Sequence, residues 1–348
     1  MVRKILTYIA ITVLAVAFTS CRHKDLCLLH PHTAPIRINV DWSKFIDKEE
    51  PSGMTVIVYP QDGSAPVFTR SNDLSHVLVY LPAGMYNSIV FNQSENEFGS
   101  LELRNLNNYT KAEVATIQAP TRWYTTRVEN EKVVHEPEWF GTDKEENAEV
   151  TKQMIEWVQH SFMESTQSNN GTKTTKSGID LIYHTVENVI YTLDVKVHMK
   201  NIYNLRSARS AISGMAEGYL LAAQTRSNKT VTHLMEQWSL NAAPHDPTLG
   251  TIQTKIMCFG LPDNHGKTPQ ENTLTLSLLL VDGKTILNYT FNVGDLIREG
   301  DLDGELTLHL ELAIDEPLPD VEPVDGDAGG FEATVDDWGE EIEHSIIM

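Results

Sequence analysis

Positive charge is scarce in this 348-residue chain: 27 Lys and Arg stand against 48 Asp and Glu, a formal net charge of −21. So acidic a chain repels phosphate backbones and anionic headgroups, which argues against nucleic-acid binding and basic peripheral docking on membranes. Cysteine is scarcer still. Three residues are too few for a disulfide-dense scaffold or a four-thiolate zinc site. Catalytic signatures are missing as well, with no Gly-x-Ser-x-Gly elbow, no Walker loop and no dinucleotide fingerprint. Ser213-Gly-Met-Ala-Glu-Gly218 has glycines but lacks the Lys-Ser/Thr pair that handles phosphate. Among 48 acids no glycosidase pair stands out. The expectation is a non-enzymatic protein.

What is present begins at the N-terminus. Arg3 and Lys4 precede an apolar run, Ile5 to Phe18, shorter than the ~20 residues that span a bilayer core. Thr19, Ser20 and Cys21 then close it with small residues and a cysteine. That is the pattern of a secretory signal, residues 1–20, whose first mature residue is a lipidated Cys. Cys21 is therefore read as carrying a diacylglycerol thioether and an N-acyl chain such as palmitate, enough methylenes for stable anchoring. No other cofactor is expected. Cys27 and Cys258 are read as unpaired thiols.

Residues 21–35 read as a polar tether. His23, His30 and His32 cluster there, but no nearby carboxylate or thiol pair completes a metal shell, so a solvated linker is the reading. Asp301-Leu-Asp303-Gly304-Glu305 has its glycine too early for a calcium loop and is read as a turn.

The body of the chain alternates with a period of two. Ile36, Ile38, Val40 and Trp42 form one half-buried strand, and Val77, Val79 and Leu81 another. Met54 to Tyr59 is nearly continuous in apolar residues. Val189 to Met199, Leu274 to Leu280, Leu287 to Val293 and Leu306 to Ile314 alternate cleanly, with Asp282-Gly283 as a hairpin turn. Strands with one wet face indicate antiparallel β-sandwiches. Val150, Met154, Trp157 and Val158 have helical spacing and predict one interdomain helix within 143–162, ahead of a Ser/Thr/Gly-rich linker. The predicted layout is an N-terminal β-sandwich at 36–164, a flexible linker at 165–178 and a C-terminal β-sandwich at 179–315. An acidic tail follows at 316–348, unable to bury a core and extended or mobile up to Gly330, then restoring alternation in Phe331, Ala333, Val335 and Trp338.

An ordered series of short motifs runs through nearly the whole mature chain. Cys21-Arg-His-Lys-Asp-Leu-Cys27, Val40-Asp41-Trp42, Gly53-Met54, Tyr59-Pro60-Gln-Asp62-Gly63 and Leu81-Pro82-Ala83-Gly84-Met-Tyr86 come first. Phe91-Asn92, Pro137-Glu-Trp139-Phe140-Gly141, Ser213 to Gly218 and Asp336-Asp337-Trp338 follow. Their order and spacing resemble the fimbrillin-related lipoproteins of the Bacteroidetes, nearest to the anchor and assembly proteins of the type V pilus. The resemblance implies a mostly β fold of two transthyretin-like antiparallel β-sandwich domains. It also implies a surface-exposed lipoprotein of the cell outer membrane that joins fimbrial subunits or other surface proteins by strand addition, with a role in adhesion. Phe331, Ala333, Val335 and Trp338 are then the strand-exchange candidates. Stalk subunits of that family have an Arg at which a protease removes the first strand. Arg22 and Arg37 are the residues available, and neither lies in a convincing loop, which points to an anchor or accessory role. The alternative is a glycan-binding surface lipoprotein of a nutrient-uptake system, stacking sugars on Trp123, Tyr124 or Trp139.

Overall fold

A computed structural model describes residues 32–45, 51–121, 123–124, 131–167, 178–302, 305–324 and 343–347. The first half runs β1 (Ala34–Asp41), β2 (Met54–Pro60), β3 (Val67–Ser71), β4 (His76–Leu81), β5 (Gly84–Asn92), β6 (Leu101–Arg104), β7 (Glu113–Thr116), β8 (Lys132–Val134), β9 (Gly141–Val150) and α1 (Lys152–Gln167). Next come β10 (Ile179–Thr185), β11 (Glu187–Asn188), β12 (Tyr191–Lys200), β13 (Leu205–Ala216), β14 (Gly218–Leu220), β15 (Thr225–Arg226), β16 (Thr230–Met235), β17 (Ser239–Ala243) and β18 (Asp246–Cys258). The chain closes with β19 (Thr273–Leu280), β20 (Ile286–Asn292), β21 (Arg298–Leu302), β22 (Glu305–Ala313) and β23 (Glu343–Ile347).

The first sandwich packs the sheet β10-β1-β4 on the sheet β11-β9-β5-β2-β3. The alternation in β1 buries Ala34, Ile36, Ile38 and Val40 and turns Arg37 and Asn39 outward. Unbroken apolarity in β2 has a different cause. Met54, Val56 and Val58 fill the sandwich core, while Ile57 and Tyr59 fill a second core on the opposite face. That second core lies under a further sheet, β15-β14-β7-β6, so the five-stranded sheet is covered on both faces. The second sandwich packs β17-β18-β12-β22-β21 on β23-β20-β19-β13-β16-β8, with Leu193, Val195, Leu276, Leu278, Leu308 and Leu310 at its centre.

Pairing redraws the expected boundaries. Residues 179–185, assigned from sequence to the second domain, form β10 and pair in parallel with β1 of the first sandwich. In the other direction β8 crosses to the second sandwich, parallel to β16, while β14 of the second half pairs with β7 of the first. Parallel pairs therefore join the antiparallel ladders in each sandwich, β12 with β22 being another. Sequence alternation reports which face of a strand is buried and is silent about its neighbour.

The helix also moves. Residues 143–150 belong to β9, paired with β5. α1 starts at Lys152, where Thr151 Oγ1 accepts the Met154 N–H at 3.2 Å as an N-cap. Met154, Ile155 and Val158 pack on the first core, and α1 links β9 to β10. It is thus a crossover within the first sandwich, not an interdomain element. Of the expected flexible linker, 168–177 lies outside the described residues. The tail was expected to bury no core, and there it departs: Leu318 is buried in the second core, its N–H donating to Lys200 O at 3.1 Å. Asp320 accepts from Tyr203 Oη at 2.9 Å and Asn204 Nδ2 at 3.0 Å. One well-placed leucine and an exposed carboxylate hold this acidic stretch extended on the sandwich.

Candidate functional site

The expected lipid site and strand-exchange candidates, Cys21, Phe331, Ala333, Val335 and Trp338, lie outside the described residues, as do Arg22, His23, His30 and Cys27. The C-terminal element that the structure does place is β23. It runs parallel to β20 along the edge of the six-stranded sheet, with Ile286 opposite Glu343 and Thr290 opposite Ile347. An edge strand presents a row of backbone donors and acceptors, and β23 occupies the side of β20 that faces away from β19. Sequence reasoning looked for the added strand further upstream. Glu343-His-Ser-Ile-Ile347 carries only two apolar residues in an acid-rich tail, too faint a pattern to read as a strand.

Arg37 sits in the middle of β1, hydrogen-bonded on one side to β4 and on the other to β10. Its Nη1 lies 3.4 Å from Asp180 Oδ1. Chain in that setting is not presented as an extended protease substrate.

Two polar constellations escaped sequence reading. Ser88 Oγ lies 2.9 Å from His184 Nε2, and His184 Nδ1 lies 3.1 Å from Asp143 Oδ2. The order of groups is that of a nucleophilic triad. Ser88 is fully buried and His184 is 2% exposed, so an acyl substrate has no path to the hydroxyl. The set joins β5 and β9 of one sheet to β10 of the other, and Asp143 Oδ2 also accepts the Thr185 N–H at 3.0 Å. It acts as a clasp between sheets. No signal in the sequence gathers three residues from three separate strands.

Glu217 is the second constellation. It is buried between β13 and β14, with Arg104 Nη2 at 3.1 Å, Lys132 Nζ at 3.3 Å and Lys229 Nζ at 4.0 Å. Burial alone raises a carboxyl pKa, but Arg104 and then Lys132 more than offset it, and the group stays ionised below its ordinary range. The glycines around it are steric. Gly214 has φ +79°, and a Cβ there would sit 2.0 Å from Glu271 O; one at Gly218 would sit 2.0 Å from Val114 O. The Ser213–Gly218 motif is thus a backbone crossing point.

The aromatic candidates are engaged by the protein. Trp139 packs against both cores of the first half. Trp123 Nε1 donates to Glu236 at 2.7 Å, Arg209 lies 4.6 Å above its ring, and Tyr124 meets it edge-on at 5.7 Å. His198 points outward as expected, 2.6 Å from Glu311 Oε1. Cys258 is a buried free thiol, and that burial pushes its pKa up to about 12. Among the described residues no cluster of three metal-ligating side chains occurs, and no helix is long and apolar enough to cross a membrane.

This architecture defines a tandem β-sandwich protein. The chain belongs to the family DUF5119, a domain of unknown function, whose model matches residues 20–236. No curated protein matches it. Its fold is that of a candidate adhesin from Bacteroides ovatus, 16% identical, TM-score 0.50, covering 86% of this chain and 99% of that one. A candidate adhesin from Bacteroides thetaiotaomicron is 12% identical, TM-score 0.41, over 73% of this chain and 78% of that one. The fimbrial anchor protein Mfa2 of Porphyromonas gingivalis is 13% identical, TM-score 0.39, over 70% and 78%. The likeness to the Bacteroides ovatus protein is one of fold, and it runs over nearly the whole of that chain.

Proposed function

We propose that this chain is a cell-surface lipoprotein of the fimbrial and adhesion type, held in the outer membrane by a lipid on Cys21. It joins partner subunits by β-strand addition and has no catalytic role. The observation that carries this reading is β23, a five-residue C-terminal strand added in parallel to the edge of β20. Strand addition takes affinity from main-chain hydrogen bonds, and an edge that accepts the chain's own segment has the geometry to accept a partner's. The fold shared with the Bacteroides ovatus candidate adhesin supports a surface role. The paired position of Arg37 supports an anchor or accessory subunit that retains its first strand.

The test uses cells expressing the full chain with an internal tag. The sheared surface fraction is run unboiled on a denaturing gel and probed for the tag. A ladder of detergent-resistant species is expected, lost on deleting residues 331–348 and weakened on deleting 343–348. A single monomer band that stays with the membranes refutes the assembly role. Replacing Cys21 with Ser is expected to release the protein from the membrane fraction.

A further inference from the structure

Between the two sandwiches lies a cleft of about 300 Å3. That is the small end of the range for ligand pockets, about 300–1,000 Å3, and domain junctions are a usual place for them. The five-stranded sheet of the first sandwich contributes Asp143 and Glu187, the covering sheet β15-β14-β7-β6 contributes Tyr219 and Arg226 with Gln224 beside them, and β12 of the second sandwich contributes Tyr191. Leu306 and Val189 add apolar wall.

The formal charges in this cleft are mostly spent on one another. Arg226 Nε donates to Asp263 at 3.0 Å and Nη1 to Glu299 at 3.1 Å, and its guanidinium lies 5.3 Å over the Tyr191 ring. Glu187 is paired with Lys44. Asp143 uses Oδ2 in the clasp with His184. What is left over is a mixed set. The Tyr191 and Tyr219 hydroxyls, the Gln224 side-chain amide, Asp143 Oδ1 and Arg226 Nη2 make no hydrogen bond among the described residues. Burial pushes the Tyr219 phenol up to about 12, so it stays protonated and able to donate near neutral pH.

Ligand class follows from that remainder. A cation entering the cleft meets Arg226 and finds the Tyr191 face already occupied. An anion meets Asp143, Glu187 and Asp263. A neutral ligand whose hydroxyls each donate and accept matches two phenols, an amide, one carboxylate oxygen and one guanidinium nitrogen, and its C–H faces suit Leu306 and Val189. We propose that the cleft between the sandwiches is a saccharide-binding site, sized for one or two pyranose units. The site shares no residue with the β20–β23 edge, so it stands or falls independently of the assembly role.

The experiment is saturation-transfer NMR on the full chain in detergent. The probes are the methyl pyranosides of glucose, galactose, mannose, fucose and N-acetylglucosamine, with Nα-acetyl-lysine methylamide and inorganic phosphate as cationic and anionic comparisons. At least one pyranoside is expected to bind in the millimolar range. Tyr219→Phe and Gln224→Ala are each expected to weaken it roughly five- to tenfold, the loss of one hydrogen bond. Melting temperatures should hold, because neither the Tyr219 hydroxyl nor the Gln224 side-chain amide has a hydrogen-bond partner among the described residues. The proposal is overturned if no pyranoside binds or if binding survives both substitutions unchanged. Binding of the lysine derivative or of phosphate in place of the sugars overturns it as well.

Discussion

His233 lies on β16 between Val231 and Met235, two residues from each, and all three point into the core of the second sandwich. It is fully buried, and neither ring nitrogen has a hydrogen-bond partner among the described residues. Burial disfavours the imidazolium and lowers the pKa from 6.5 to about 4. The unfolded chain therefore binds a proton that the folded chain refuses, and stability falls as pH drops from 6.5 toward 4. Linkage puts the loss at about 2 kcal/mol at pH 5 and about 3 kcal/mol by pH 4, where it approaches its limit. His233→Leu keeps a similar volume, removes the proton-binding site and deletes two unsatisfied nitrogens. At pH 7 the variant should be as stable as the parent or more so, by roughly 1 kcal/mol, since replacing an unpaired buried polar group with an apolar one removes a desolvation cost. The assay is urea denaturation of both proteins at pH 7, 6, 5 and 4, followed by circular dichroism. Every other titrating group is common to the two, so the difference between their unfolding free energies isolates this histidine. That difference should widen by about 2 kcal/mol between pH 7 and pH 5. Two curves that stay parallel over this interval would refute the assignment of His233 as a neutral, unpartnered core residue.

Glu217→Ala should cost about 2–3 kcal/mol, because Arg104 and Lys132 lose the buried carboxylate that they surround; a change below 0.5 kcal/mol in urea unfolding contradicts the hub. Gly218→Ala drives a methyl onto Val114 O and should destabilise by about 1–3 kcal/mol, whereas Gly63→Ala, with open space around it, should cost only its backbone strain. Ser88→Ala should lower stability by about 1 kcal/mol through loss of the clasp. Labelling of native Ser88 by a fluorophosphonate ester would show that the hydroxyl is reachable and that the clasp is an active nucleophile. Cys258 should resist maleimide in the folded protein and react after denaturation; rapid native labelling would contradict its burial.

Sequence alternation determined a great deal of this molecule. The inward faces of β1, β4, β12, β19 and β22 follow from a period of two, because a pleated strand sends successive side chains to opposite faces. The hairpin at Asp282-Gly283 was equally legible: Gly283 has φ +66°, and Asp282 Oδ1 accepts the Thr285 N–H at 2.9 Å. The nearly unbroken apolar run of β2 was visible, but its burial on both faces emerged only with the two cores that it separates. Tertiary structure alone decided which strands become neighbours. β10 lies beside β1, about 140 residues earlier, and β8 beside β16, pairings set by the fit of whole sheets that no local pattern encodes. The same holds for the Ser88–His184–Asp143 clasp, the ring of cations around Glu217 and the cleft at Tyr219. Each gathers residues from strands far apart in sequence, and its chemistry exists only after the sheets have packed.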